Sequence, residues 1–281
     1  MGATFFGQYL LSKGVINREA LIDAINTQRN QNLNLTALAV RQGYLDKQQE
    51  EAILLRYRTS DAKLEDLCLE SGLIDKVQLD ELVRLQLSDW MRIGAALVAG
   101  GHLSCEEVEK HLDVFQEAQR RAEEQIETDF SACREPETVK TVVSLAVIHL
   151  GRISDQPMKL QTLSDHACDL AAGRRRYVQR LVGDRELHVV LDLPVEMESV
   201  MAEGLVGVPL ESGTEAAIDA VCEVVNIIGG NACTQLEACG FKLRPDPPYS
   251  TEGNGPINGK GDCVRAEVLV GDAEMDVQVL L

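Results

Sequence analysis

The sequence predicts an α-helical repeat domain followed by an α/β domain in which an antiparallel sheet packs with long helices. Three observations carry that reading: glycines recurring at a fixed period in the first 116 residues, a turn-rich break at 131–137, and beyond it two hairpins with period-2 apolar residues enclosing two helices. The expected boundaries are a helical repeat domain at 1–118, a charged connector at 119–137 and the α/β domain at 138–281.

Gly14, Gly43, Gly72 and Gly101 stand 29 residues apart, and each is followed by a residue of helix N-cap type: Asn17, Asp46, Asp75 and Ser104. After three of those caps, a Glu or Gln at the third helical position (Gln49, Gln78, Glu107) completes a capping-box pattern. Each unit therefore reads helix, glycine stop, short extended pair, helix. Apolar residues recur in step. Phe6, Leu10, Leu21 and Ile25 correspond to Leu64, Cys68, Leu79 and Val83 in the third unit and to Ile93, Leu97, Val108 and Leu112 in the fourth, which gives every helix one buried face. Residues 106–128 continue as a charged helix, and Pro136 marks the break that follows.

Composition narrows the function classes. The chain has 281 residues, is 45% hydrophobic and carries a formal charge of -18, enough apolar content for two cores and the wrong sign for a nucleic-acid binder. Arg174, Arg175 and Arg176 with Arg180 form the one basic cluster, read here as a solvated hairpin rim. Apolar runs such as 142–150 are shorter than the ~20 residues of a membrane span, so no membrane insertion and a cytoplasmic location are expected. Cysteines at 68, 105, 133, 168, 222, 233, 239 and 263 lack any C-x-x-C pair and fit reduced, mostly core thiols; the scattered histidines show no metal spacing, and no metal site is expected. The segment 253–262 contains Gly259-Lys260 but has Asn254 and Gly261 where a P-loop needs Gly and Ser or Thr, and reads as a flexible loop.

In the second domain, 139–150 has the β-branched content of a strand and the length of a helix, and helix is preferred. Residues 176–182 and 186–193 read as a hairpin turning at Gly183-Asp184. Pro194 opens a helix reaching about Leu205, and 214–237 is a long helix. Residues 263–270 and 274–281 close the chain as a hairpin around Gly271-Asp272.

The long helix is apolar except for one stripe. At about 100° per residue, Asp219, Glu223, Asn226 and Gly230 fall on one face. A carboxylate and a carboxamide are thereby held side by side among residues that would ordinarily be buried, so they need partners or an outside target. A Glu and an Asn on one helix face also suit a merely solvated side; Asp219 in particular reads equally as a surface charge, and Cys222 and Cys233 read as core.

Two resemblances attach to these residues. Asp219, Glu223 and Asn226, followed by Gly229-Gly230-Asn231 and Pro248, resemble the signature of the CheC/CheX chemotaxis phosphatases: an acidic or Ser residue, three residues, Glu, two residues, Asn and a later Pro, in one copy as in CheX. The resemblance covers about 135–281. It implies hydrolysis of the phospho-aspartate of a CheY-like response regulator, with Asn226 orienting the water, Glu223 meeting the regulator's active-site Lys, and Asp219, Gly230, Asn231 and Pro248 in support. Gly229 and Gly230 would then expose backbone to a closely approaching partner. Any Mg2+ would belong to the regulator, the chain having no cofactor of its own; a homodimer is a further assembly that the reading allows.

The repeats at 5–116 resemble the MshEN domain of type II secretion ATPases, some of which bind cyclic di-GMP through R-L-G-x-x-L and L-x-x-x-L-x-x-Q elements. Carried over, the nucleotide-binding residues would be Gly7, Gln28, Gln86, Arg92 and Gly94. The leading Arg is Phe5, Asn34 and Lys63 in the other units, Thr36 and Glu65 replace its Gly, Tyr57 and Phe115 replace its Gln, and no unit is complete. Beside the phosphatase reading stand a non-catalytic adaptor and a cyclic di-GMP-responsive module.

Overall fold

The computed structural model describes residues 5–165, 170–251, 262–271 and 273–281. The chain divides into two compact units, Ala3–Tyr57 with Ala62–Arg121, and Arg58–Asp61 with Ala122–Leu281. The expected loop at 253–262 and the turn residue Asp272 lie outside the described residues, apart from Asp262.

The first unit is built of α1 (Phe6–Ser12), α2 (Arg18–Gln31), α3 (Leu35–Arg41), α4 (Lys47–Thr59), α5 (Leu64–Glu70), α6 (Lys76–Asp89), α7 (Ile93–Ala99) and the start of α8 (Cys105–Ala132). The period-29 glycines sit after α1, α3, α5 and α7 with φ of 66°, 76°, 67° and 73°, a left-handed conformation that explains why glycine recurs there. Each cap forms as its sequence requires. Asn17 accepts from the Ala20 amide at 2.8 Å, while Asp46 with Gln49 and Asp75 with Gln78 exchange both bonds of a capping box. The Ser104 amide donates to Glu107 at 2.9 Å. The repeats do not pack in simple sequence order: Phe6, Leu10 and Leu21 of the first share a core with Leu97 and Leu103 of the fourth, while Leu35, Leu38 and Ile53 of the second share one with Leu67, Ile74 and Leu82 of the third.

The second unit opens with α9 (Pro136–Ser154) after the end of α8 and continues through β1 (Met158–Ser164), β2 (Arg174–Gly183), β3 (Glu186–Pro194), α10 (Val195–Val206), α11 (Glu215–Ala238), β4 (Leu243–Pro245), β5 (Tyr249–Thr251), β6 (Cys263–Val270) and β7 (Ala273–Leu280). The sheet runs β1-β6-β7-β3-β2-β4 with β5 also on β2, and every pairing is antiparallel. Tyr177 and Leu181 of β2, Leu191 of β3 and Val277 of β7 face Val142 and Ala146 of α9, Met201 of α10 and Val221, Val225 and Ile228 of α11, forming the main core. α11 is long and apolar enough to cross a membrane, yet 56% of that apolar window is buried within the fold, as befits a core helix.

Sequence reading missed β1, β4 and β5, and it misplaced the arginine cluster. Arg175 and Arg176 are buried, not a solvated rim. Arg175 meets Glu198 at 2.7 Å, and Glu198 also accepts from the Tyr177 hydroxyl and the Gly213 amide. On the opposite sheet face Arg176 grips Asp192 with two bonds of 2.7 and 2.6 Å, and Asp192 also accepts from Gln278. Arg174 and Arg265 flank Asp276 at 2.8 and 2.9 Å. Of the four arginines, Arg180 alone behaves as a surface group, pairing with the half-exposed Glu186. A strand alternates its faces, so a run of three arginines cannot all reach solvent; each face supplies carboxylates instead.

Candidate functional site

The Thr214 hydroxyl caps α11 by accepting from the Ala217 amide at 3.3 Å. Ala217, Val221, Val224, Val225, Ile228 and Ala232 turn inward and seat the helix. That seating leaves the opposite stripe outward: Asp219 and Glu223 are exposed, and Asn226 and Gly230 are half-buried one and two turns further along.

Asn226 is held from both sides. Gln179 of β2 donates its Nε2 to Asn226 Oδ1 at 2.7 Å, and Asn226 Nδ2 points to Glu223 Oε2 at 3.3 Å. Gln179 is fully buried, on the inward face of β2 between Tyr177 and Leu181. Its Nε2 also donates to the Asp246 carbonyl at 3.1 Å, so both amide protons are engaged. The reversed amide would set Oε1 against two acceptors, which fixes its orientation.

Asp246 needs that bond because of the chain that follows it. β4 pairs with Leu181–Gly183 and β5 with Arg176–Val178, and between them stand Pro247 and Pro248, which have no N–H to continue a ladder. The strand breaks there, the Asp246 amide donates to the Arg180 carbonyl at 2.8 Å, and the Asp246 carbonyl turns to Gln179. Pro248 thus lies two residues beyond the backbone that Gln179 holds.

The two glycines separate. Gly229 is buried, and a Cβ on it would lie 1.9 Å from Gln179 Oε1, so glycine is required for the amide to fit. Gly230 faces outward with nothing within 4 Å of where a Cβ would be. The expectation that both expose backbone to a partner is therefore corrected: only Gly230 is open. Asn231 gives its Nδ2 to the Ile227 carbonyl one turn back, at 2.8 Å, within its own helix.

Burial pushes the Cys222 thiol up, with the Asp219 charge adding to it, and burial likewise raises Cys233, so neither is primed as a nucleophile. Among the described residues no group of three or more His, Cys, Asp or Glu side chains gathers as a metal site.

The family model for chemotaxis phosphatase CheX matches residues 177–265, a span running from β2 through α11 to β6. The C-terminal half carries a CheX-like domain. No curated protein matches the chain. Among solved structures, a CheX from Vibrio vulnificus is 16% identical over 51% of this chain and 98% of its own, with a TM-score of 0.46. A CheX from Desulfovibrio desulfuricans is 19% identical over 52% and 99%, also at 0.46. A CheX-CheY-BeF3-Mg complex from Borrelia burgdorferi is 17% identical over 51% and 94%, at 0.41.

Gln179 and the Asp246 carbonyl, joined to Asn226 through hydrogen bonds, are contacts that sequence reading missed. The available signal was a carboxamide at an inward position of a strand whose inward neighbours, Tyr177 and Leu181, are apolar.

In the first unit, four of the five residues expected to hold a nucleotide are engaged in packing or in bonds between repeats, and the fifth, Arg92, is exposed. A Cβ on Gly7 would lie 2.5 Å from Leu21 Cδ1 and one on Gly94 2.8 Å from Val108 Cγ1, so both glycines let helices meet. Gln28 donates to the Met91 carbonyl at 3.0 Å and Gln86 to the Leu33 carbonyl at 3.2 Å, each tying its own repeat to the one it packs against. Arg92 is the N-cap of α7 and makes no side-chain cap bond. Gly7, Gln28, Arg92 and Gly94 belong to the first and fourth repeats, whereas Gln86 belongs to the third.

Proposed function

We propose that the CheX-like domain hydrolyses the phospho-aspartate of a CheY-like response regulator, with Asn226 orienting the attacking water and Glu223 docking the regulator's active-site lysine. The observation that carries this reading is how Asn226 is held. A carboxamide has two protons and two lone pairs; one proton points to Glu223 and one lone pair accepts from Gln179. One N–H and one lone pair remain, on a half-buried side chain at an exposed helix face. That pair can donate to and accept from one water without bringing negative charge to an anionic phosphoryl group, so the contribution is positioning.

Glu223 is exposed beside it and can meet an ammonium group, and the bare surface at Gly230 lets another backbone come close. Asp219 lies one turn before Glu223 and extends the acidic stripe. The structure of a CheX with a beryllofluoride- and magnesium-bearing CheY lends the partner class. In this reading the divalent cation and the lysine come with the regulator, and the CheX-like surface supplies only the amide, the carboxylate and the approach.

The test is decay of a phosphorylated CheY-like regulator from the same host with and without the full chain. Wild type is expected to accelerate decay, and Asn226→Ala to remove at least about 100-fold of that acceleration with an unchanged melting temperature. Binding of the phosphorylated regulator with no change in its lifetime would replace the reading by a non-catalytic adaptor.

A further inference from the structure

We propose that Gln179 is a positioning residue for Asn226, and that Gly229 is present to make room for it. The inference rests on the phosphatase reading for its effect on rate, but its geometry stands independently. Gln179 is 0% exposed and its Nε2 bridges two acceptors, Asn226 Oδ1 at 2.7 Å and the Asp246 carbonyl at 3.1 Å. Its Oε1 is buried with no hydrogen-bond partner, on the side where Gly229 lacks a side chain. A buried amide oxygen without a donor costs on the order of 1–3 kcal/mol, and glycine in mid-helix about 1 kcal/mol against alanine. Methionine at 179 with alanine at 229 would avoid both costs. Retaining them is accounted for by what the other end of the amide does: it settles which atom of Asn226 faces outward.

Without that donor Asn226 can rotate its amide by half a turn, presenting two N–H groups or two lone pairs instead of one of each. A carboxamide contacting water through a matched donor and acceptor would become one that holds it in several ways. The same Nε2 anchors Asp246, two residues before Pro248, so one amide aligns the helix with the proline-broken edge of the sheet.

The experiment uses the full chain carrying Gln179→Met or, in a second protein, Gly229→Ala, which pushes on Gln179 from the opposite side. Phosphatase kinetics on the phosphorylated regulator are combined with NMR of the Asn226 side-chain amide in the regulator-free protein. Expected for both variants are a kcat lower by about 10- to 100-fold, a KM within about twofold of wild type, and shifted Asn226 amide resonances. A Gln179→Met protein with wild-type kcat, or a fall confined to KM, overturns the proposal. Should Asn226→Ala itself retain full activity, the phosphatase reading fails; unmoved Asn226 amide resonances in Gln179→Met would then sink the positioning role separately. If Gln179→Met does not fold, Gly229→Ala carries the same readouts.

Discussion

The glutamines of the repeat unit and the asparagine of α11 are the same kind of group put to different use. Gln28 and Gln86 donate to carbonyls of neighbouring repeats, and the glycines of their motif, Gly7 and Gly94, are packed against Leu21 and Val108. Asn226 is half-engaged, with one donor and one acceptor taken, beside an exposed carboxylate and an open glycine. Both regions resemble a binding motif in sequence, yet the glycines and glutamines of the repeats are taken up by packing and bonds between repeats, leaving Arg92 exposed without them. Asn226, by contrast, keeps one donor and one acceptor facing outward beside Glu223. A motif residue can serve a partner only with the atoms its own fold has not occupied.

That contrast can be broken by substitution, because closing groups should cost stability when removed and open groups should cost activity. The largest effect is expected at Glu198, fully closed by Arg175, Tyr177 and the Gly213 amide. Glu198→Ala should lower unfolding free energy by about 3–5 kcal/mol in urea titrations, since it takes the carboxylate away from a buried guanidinium. A loss below about 1 kcal/mol would show that engagement alone does not measure structural worth. Gln28→Ala should cost about 0.5–1.5 kcal/mol and leave regulator turnover unchanged; an altered turnover would blur the distinction between the two regions.

Gly230→Ala should act in the reverse sense. With open space around the new methyl, the helix gains up to about 1 kcal/mol, seen as a higher melting temperature, while KM for the phosphorylated regulator rises. An unchanged KM would remove Gly230 from the docking surface.

The smallest effect is spread over pH. Burial holds the His149 pKa below its usual value; its Nδ1 lies 3.2 Å from the Arg58 carbonyl and its buried Nε2 has no partner. Burial depresses His188 likewise. The unfolded state therefore binds more protons near the usual histidine pKa, so stability is held above that value and is lost as pH falls through it towards the folded values. Asp276, raised by burial against the pull of Arg265 and Arg174, works in the opposite direction at lower pH. His149→Leu should flatten the melting temperature between about pH 7 and 5, and an unaltered slope would refute the assignment.

The repeats, their caps and the hairpin of β2 and β3 were legible because each is set by local chemistry: a left-handed glycine, a capping box, an alternation closed by a turn. α9 emerged as a helix, with β-branched residues such as Val142 and Val143 in its buried face. β1 was hidden because Met158–Ser164 is partly exposed and lacks the β-branched run that marks a strand; β4 and β5 are three-residue pieces among prolines. Asn226 and Glu223 could be found because helical periodicity places them together. Gln179 offered only the sign of a carboxamide at an inward strand position, since it lies 47 residues away and its bond to Asn226 follows only from the sheet that brings β2 beneath α11.

The broken edge has a consequence beyond the site. Pro245, Pro247 and Pro248 leave three of the five positions from 245 to 249 without an N–H. A second chain aligning along β4 and β5 would find carbonyls but few donors and a kink where register should continue. The prolines that follow Asp246 thus also guard this side of the sheet against strand-by-strand aggregation.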